Sequence, residues 1–364
     1  MAPVPDPRGV DLRTFLLRVC LFLVTMIAVS ELFFRFVLPA REYPMSVMDP
    51  DTGIRHYQPS TEGTFTYGAL CLGGYSWRIN PQGWNSSYDY LSDSSRDNPM
   101  VALIGDSYLE GFWSDLDDHL DVMLHARSLG EVDFYTFGTW GAMLSQYLVI
   151  SRYVVSEYGA DVIVIFLNER DARASLDTGN SGVHLCYTLE RLEDGSFSMV
   201  PPPLLSTGGI IPLLLKSATL RYLKTNRNLP FLARGAVADV NANVSEVQHY
   251  STPTETVDPV EVAATEYLLD GLESLGVPVI LVADGPRAPI YRGEQDPPRF
   301  LDCALVQELC RGRDGIVFID LVPFFVEDWR EHGRKFSPDD NPHWDSYGNA
   351  VVADAIWPEV LRAL

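Results

Sequence analysis

Short apolar runs recur along the last two thirds of the chain, each stopped by a turn residue and separated by stretches of helical period. Residues 100–104, Met-Val-Ala-Leu-Ile, end at Gly105, and further runs occupy 132–137, 161–167, 277–283 and 316–321. The run 161–167 is apolar on both faces, which is the pattern of a parallel strand covered by helices on two sides. Between the runs, helical spacing predicts helices over 116–128, 143–158, 301–311 and 346–364, the last bent near Pro358. Asp258-Pro259 opens another with an N-cap and a first-turn proline, and Gly276 closes it. Val262, Leu269 and Leu272 share one face of that helix, with Leu268 and Leu275 extending it. Five strands alternating with helices predict an α/β fold, a doubly wound parallel sheet ordered 2-1-3-4-5.

The remaining segments depart from that alternation. After a tail at 1–13, residues 14–39 are mostly apolar, close to the ~20 residues that span a bilayer. Arg18 lies near one end and can snorkel, while Glu31 and Arg35 are four apart on one helix face near the other. A signal anchor is expected. A cleaved signal peptide is the alternative, because Ala28-Val29-Ser30 offers a small-residue site. Basic residues flank both ends, so the positive-inside rule barely orients the span; both readings place the rest of the chain outside the cytoplasm. Residues 40–99, rich in Gly, Pro, Ser, Asn and Tyr, read as a stalk and wrapping segment. Residues 100–364 read as one α/β domain interrupted at 172–257 by an inserted, partly helical cap or peripheral helix pair with little strand signal.

Composition narrows the partners. The 364-residue chain carries a formal charge of −22 and only three lysines, Lys216, Lys224 and Lys335. So acidic a surface repels phosphate backbones and argues against nucleic acid. Of five cysteines, Cys20 falls in the apolar span, leaving Cys71, Cys186, Cys303 and Cys310. Their three connectivities stay open: Cys303 and Cys310 would be about 10.5 Å apart along a straight helix, so that pair needs a helix break to come within disulfide reach, and Cys71–Cys186 is a guess. No cysteine pair has zinc-site spacing with partnering histidines, so no metal is expected.

The candidate chemistry gathers where the strands end. In the order 2-1-3-4-5, the loops after the first three strands meet at the carboxyl edge. They hold Gly105-Asp106-Ser107-Tyr108, Gly138-Thr139-Trp140-Gly141 and Asn168-Glu169-Arg170-Asp171, while the loop before the last helix delivers Asp340-Asn341-Pro342-His343. Each piece alone has an ordinary reading as a turn or cap. Together they supply a serine nucleophile (Ser107), a base (His343), an acid to orient it (Asp340), and oxyanion donors from the Ser107 and Gly141 N–H groups and the Asn168 side chain.

At these residues the chain resembles the SGNH, or GDSL-like, esterase and acyltransferase family. Gly105-Asp106-Ser107-Tyr108 is similar to its first block, Phe137 to Gly141 to its second, Asn168 to its third, and Asp340-x-x-His343 to its last. Tyr108 stands for the usual Leu, Thr136 where the second block often begins with Asn, Glu169 after Asn168 with the acid displaced to Asp171, and Asp345 where an Asn often follows the histidine. The resemblance implies a three-layer α/β/α sandwich, no cofactor, and serine-based hydrolysis or transfer of acyl groups. The anchor and Arg78 to Gly83 are similar to membrane-tethered members linked to acylation of cell-surface polysaccharide. An esterase acting on acyl, foremost acetyl, esters of envelope carbohydrate is therefore expected. An O-acyltransferase using the same triad, working with other envelope polysaccharide-modifying proteins, is the alternative. A non-catalytic glycan-binding or assembly subunit would need no triad.

Overall fold

The computed structural model describes residues 12–176, 185–203, 214–227, 257–338 and 341–364, which fall into two units. In chain order the elements are α1 (Leu12–Leu32), β1 (Ser46–Met48), β2 (Arg55–Tyr57), β3 (Thr61–Tyr67), β4 (Leu72–Ile79), β5 (Met100–Gly105), α2 (Ser107–Glu110) and α3 (Leu120–Arg127). Next come β6 (Asp133–Gly138), α4 (Leu144–Tyr158), β7 (Val162–Leu167), α5 (Asp171–Ala174), β8 (Thr188–Arg191), β9 (Phe197–Val200) and α6 (Ala218–Arg221). The chain continues through α7 (Pro259–Glu273), β10 (Val279–Ala283), α8 (Arg287–Tyr291), α9 (Leu301–Cys310), β11 (Ile316–Asp320), α10 (Val322–His332) and α11 (Ser346–Ala363).

The larger unit is built on a five-stranded parallel sheet ordered β6-β5-β7-β10-β11, the order read from the sequence. Side chains alternate across it with the period of a strand. Ala102, Ile104, Ile163, Ile165 and Leu281 pack with residues of α4, α7 and α9 on one face. Val101, Leu103, Val162, Val164, Ile280 and Val282 pack with residues of α3, α10 and α11 on the other. This is the three-layer α/β/α sandwich. The face of α7 expected to be apolar is buried at Leu268, Leu269 and Leu272, each contributing roughly 1.5–3 kcal/mol. Asp258 caps that helix by accepting from the Val260 N–H at 2.8 Å.

The segment before β5 also packs on this sheet. β1 pairs antiparallel with β2. At the outer strand β6, the Tyr90 hydroxyl accepts from the Thr136 N–H (3.0 Å) and donates to the Thr136 carbonyl (2.7 Å). One phenol thus satisfies a peptide that an edge strand would otherwise leave open.

The segment 172–257 contributes residues to both units. β8 and β9 form an antiparallel hairpin in the larger unit, with Leu189 fully buried. Residues 214–227 belong instead to the unit that contains α1. Residues 177–184, 204–213 and 228–256 of the insertion lie outside the described residues. A helix over Val322–His332 was not expected, and α11 runs through Pro358 without interruption.

In the second unit, α1 continues as a π-helical turn, Phe33–Val37, giving 26 residues long and apolar enough to cross a membrane. The cysteine pairing is corrected too: all five cysteines are free.

One close approach fixes the carboxyl edge. A Cβ built on Gly138 would lie 2.3 Å from the Glu110 backbone nitrogen and 2.4 Å from the Leu109 carbonyl carbon. Backbone cannot yield as a flexible side chain does, so Gly138→Ala should destabilise the protein by about 1–3 kcal/mol, the usual range for overpacking. The check is a denaturant melt, in which an unchanged midpoint would contradict the contact.

Candidate active site

Ser107 is the first residue of α2, directly after β5. Asp106 caps that turn, its Oδ1 accepting from the Tyr108 N–H at 3.0 Å. Beside it, the Thr139 N–H donates to the Gly105 carbonyl (3.1 Å) and the Asn168 Nδ2 donates to Asp106 Oδ2 (3.3 Å). The loops after β5, β6 and β7 are therefore bonded to one another around the residue preceding Ser107.

His343 arrives from the loop before α11, and its Nε2 lies 2.7 Å from Ser107 Oγ. Its Nδ1 lies 2.5 Å from Asn341 Oδ1, and the same oxygen accepts from the His343 backbone N–H at 2.8 Å. That second contact decides the tautomer. A backbone N–H can only donate, so the side-chain atom facing it is the amide oxygen, and Nδ1 must carry a hydrogen to meet the same oxygen. Nε2 is then left with its lone pair toward the Ser107 hydroxyl, which is the state a general base requires. Asp340 lies outside the described residues, and the side chain that meets Nδ1 is Asn341, which no motif in the sequence singles out.

The imidazole is walled by aromatic rings. Trp113 stacks on it at 5.1 Å and 18°, and Tyr108 lies at 4.6 Å and 32°. Tyr108, which stands for the usual Leu, thus forms part of the imidazole's surroundings. Behind the loop, Arg287 donates to both Asp284 carboxylate oxygens (2.9 and 3.0 Å) and to the Gly285 carbonyl (2.6 Å), while the Trp344 indole N–H donates to Asp284 Oδ1 (3.2 Å). Burial first, and the Arg287 guanidinium second, push His343 down to about 3.

Asn168 is held on several sides. Its backbone N–H donates to Asp171 Oδ2 (2.7 Å), its Oδ1 accepts from the Glu169 N–H (2.8 Å), and its carbonyl accepts from the Cys303 thiol (3.6 Å). The acid displaced to Asp171 is therefore used, and it accepts from the Tyr147 hydroxyl as well (3.1 Å). Asp171 is buried and Asp106 partly buried, and burial raises both carboxyls.

Gly141 has φ +66°, with open space where a Cβ would stand. Neighbouring groups fasten the loop around it. The Trp140 N–H donates to Glu110 Oε1 (3.0 Å), the Arg55 guanidinium donates to the Trp140 carbonyl, and the Cys186 thiol donates to the Gly141 carbonyl (3.6 Å). Glu110, itself buried, also accepts from the hydroxyls of Tyr57 and of Tyr43 (2.9 Å for the latter). Arg55, Tyr57 and Glu110 were not singled out by sequence, and Cys186 only as a disulfide candidate. Their partners are up to 85 residues away, and no local pattern marks them. Among the described residues no three or more His, Cys, Asp or Glu side chains cluster as a metal site.

No family model matches the chain, nor does any curated protein. Among solved structures, the chain is similar to a carbohydrate acetylesterase family member from Sinorhizobium meliloti, with 13% identity over 73% of this chain and 99% of the other, at a TM-score of 0.34. It is similar to an acetyl xylan esterase, with 14% identity over 72% of this chain and 99% of the other, at a TM-score of 0.38. It is also similar to a salicylyl-acyltransferase from a tetracycline biosynthetic pathway, with 10% identity over 73% of this chain and 56% of the other, at a TM-score of 0.37.

The depressed His343 has a testable consequence. Its folded value lies below the ordinary 6.5, so on acidification the unfolded chain takes up this proton first. The group's contribution to stability is complete above about pH 6.5 and is lost as pH falls toward about 3. Imidazole ¹⁵N spectra should show His343, assigned by its disappearance in His343→Gln, neutral from pH 8 down to pH 5. A midpoint near 6.5 would overturn the burial argument.

Proposed function

We propose that this protein is a serine esterase that removes acyl groups, acetyl foremost, from cell-envelope carbohydrate. The observation that carries the reading is the 2.7 Å contact between Ser107 Oγ and the unprotonated Nε2 of His343 at the carboxyl edge of the sheet. In this reading Ser107 Oγ attacks the ester carbonyl carbon while its proton passes to Nε2. The carbonyl oxygen becomes an oxyanion, for which the Ser107 and Gly141 N–H groups and the Asn168 Nδ2 are the donors. Two features support those donors. Asn168 Nδ2 has two hydrogens and directs one to Asp106. Gly141 has its carbonyl engaged while its N–H has no partner among the described residues. Collapse of the intermediate breaks the bond to the alcohol, which leaves with the proton from His343. Water, deprotonated by the same Nε2, then frees the acid and restores Ser107.

Asn341 sets the resting tautomer in this scheme, and Asp340 supplies negative charge for the imidazolium that forms during each transfer. No cofactor takes part. The apolar helix over residues 12–37 supports a membrane-anchored enzyme, and we place its catalytic unit outside the cytoplasm, acting on acylated carbohydrate alongside other envelope-modifying proteins.

Wild-type protein should label with a fluorophosphonate at Ser107 and hydrolyse p-nitrophenyl acetate. Ser107→Ala should lose labelling and at least ~10⁴-fold in kcat, with His343→Ala close to it because the two act as a unit. Asn168→Ala should keep the nucleophile yet lose about 10²–10³-fold, the cost of one oxyanion donor. Wild-type turnover by Ser107→Ala on every ester would end the proposal. Labelling without hydrolysis would favour transfer to a sugar hydroxyl, and absence of both would favour a binding subunit.

A further inference from the structure

The smaller unit carries a charge pattern opposite to the rest of the chain. Of 364 residues 49 are acidic, yet none falls between Asp194 and Asp239, where Lys216, Arg221, Lys224, Arg227 and Arg234 stand. Two of the chain's three lysines are in this stretch. Residues 214–227, which carry four of those five cations, share a unit with α1.

Side-chain contacts fix the depth of this stretch along the apolar helix. Glu31, near the end of α1, accepts from the Ser217 hydroxyl (2.8 Å), the Ala218 N–H (2.9 Å) and the Thr219 N–H (3.2 Å), and pairs with Arg35 (2.6 Å). Arg35 also donates to the Lys216 carbonyl at 3.2 Å. Tyr222 stacks on Phe34 with ring centroids 4.0 Å apart. At ~1.5 Å per residue, the 26 residues of Leu12–Val37 reach well past the ~30 Å hydrocarbon layer. Residues 31–35 and the groups bonded to them therefore fall at headgroup depth. An aromatic ring and basic side chains at the end of a span are the composition expected there.

Not every cation is available. Arg35 is paired with Glu31, and Arg221 with Glu42 at 3.0 Å. Lys216 and Arg227 are exposed and Lys224 is half-buried, and none of the three has an ionic partner among the described residues. We propose that residues 214–227 form a basic collar on the anchor that binds the phosphate headgroups of anionic phospholipid through Lys216, Lys224 and Arg227. The collar gives an otherwise acidic protein a local attraction for a negatively charged membrane surface, independent of the Ser107 chemistry.

Full-length protein in mild detergent, mixed with equimolar phosphatidylglycerol and phosphatidylcholine and examined by native mass spectrometry, tests this. Wild type should retain phosphatidylglycerol with at least ~5-fold enrichment, as one basic group near an anionic surface already supplies. The triple variant Lys216→Gln, Lys224→Gln, Arg227→Gln should bring the ratio to about one, while Lys216→Arg with Lys224→Arg and the distant Lys335→Gln keep it. A thermal melt of each variant separates loss of binding from loss of fold. Equal retention of the two lipids by wild type would overturn the proposal, as would enrichment that survives in a folded triple variant. Cross-linking of 216–227 to a membrane protein without lipid enrichment would also overturn it and assign the collar to a protein partner.

Discussion

The carboxyl edge of the sheet depends on a backbone approach that only glycine permits. Gly105 and Gly138 are register partners on β5 and β6, and the last turn of α2 rests directly on Gly138. Because no Cβ separates them, the peptide that starts at Ser107 and the loop that carries Gly141 leave the sheet side by side. A spacing wider by one side chain would move Ser107 away from the neighbouring loop, where the proposed oxyanion donor stands. Errors near 1 Å in such positions are costly in catalysis. The polar contacts around this approach, from the Glu110 carboxylate to the Arg55 guanidinium, fasten the two loops where it places them.

Those fastenings are charged and buried, which is unusual unless each charge is answered. Glu110 has three donors around it, and Asp284 accepts from both Arg287 and the Trp344 indole. Such pairs add little net stability compared with an apolar core, because removing them from water offsets most of the attraction. Their effect is on position. A side chain that would leave an unanswered charge on moving is confined more strictly than one held by packing alone. The same low-dielectric surroundings keep His343 neutral, since an imidazolium there would meet both desolvation and the Arg287 charge.

The residues whose place was legible in the sequence were those whose position follows from a strand ending. Ser107, Gly141, Asn168 and His343 each follow a run or precede a helix, and an order of five strands places their loops together. Asn341 was not legible, because spacing names a loop without naming the side chain that turns toward Nδ1. That choice is made by the path of the chain around Pro342. The network of Tyr43, Arg55, Tyr57 and Cys186 was hidden for another reason: these residues lie in segments without period, and their partners come from other parts of the chain. α10 was missed because Pro323 and the run Val322 to Val326 resemble a strand ending in a break, although proline is well suited to the first turn of a helix. The β8–β9 hairpin has four-residue strands, half of β8 exposed, too short for alternation to register.

The division of the insertion between two units bears on what it does. A segment evolved only to cover a substrate would be expected to share the acidic composition and the packing of the domain it covers. Residues 187–200 do pack with the sheet unit: the Ser145 hydroxyl donates to the Tyr187 carbonyl, and the Leu189 N–H to the Ser175 carbonyl. Residues 214–227 spend their polar groups differently. The N-terminal peptides of α6 are capped by a carboxylate of the apolar helix, and Asn226 accepts from the Arg41 N–H while donating to Thr66 and Gly68. Glu31 inside a span would be costly if left bare, so the short helix that caps it makes the charge tolerable where it stands. The two therefore account for each other: the acid in the apolar helix explains a polar, basic turn beside it, and the turn explains an acid so near the end of that helix.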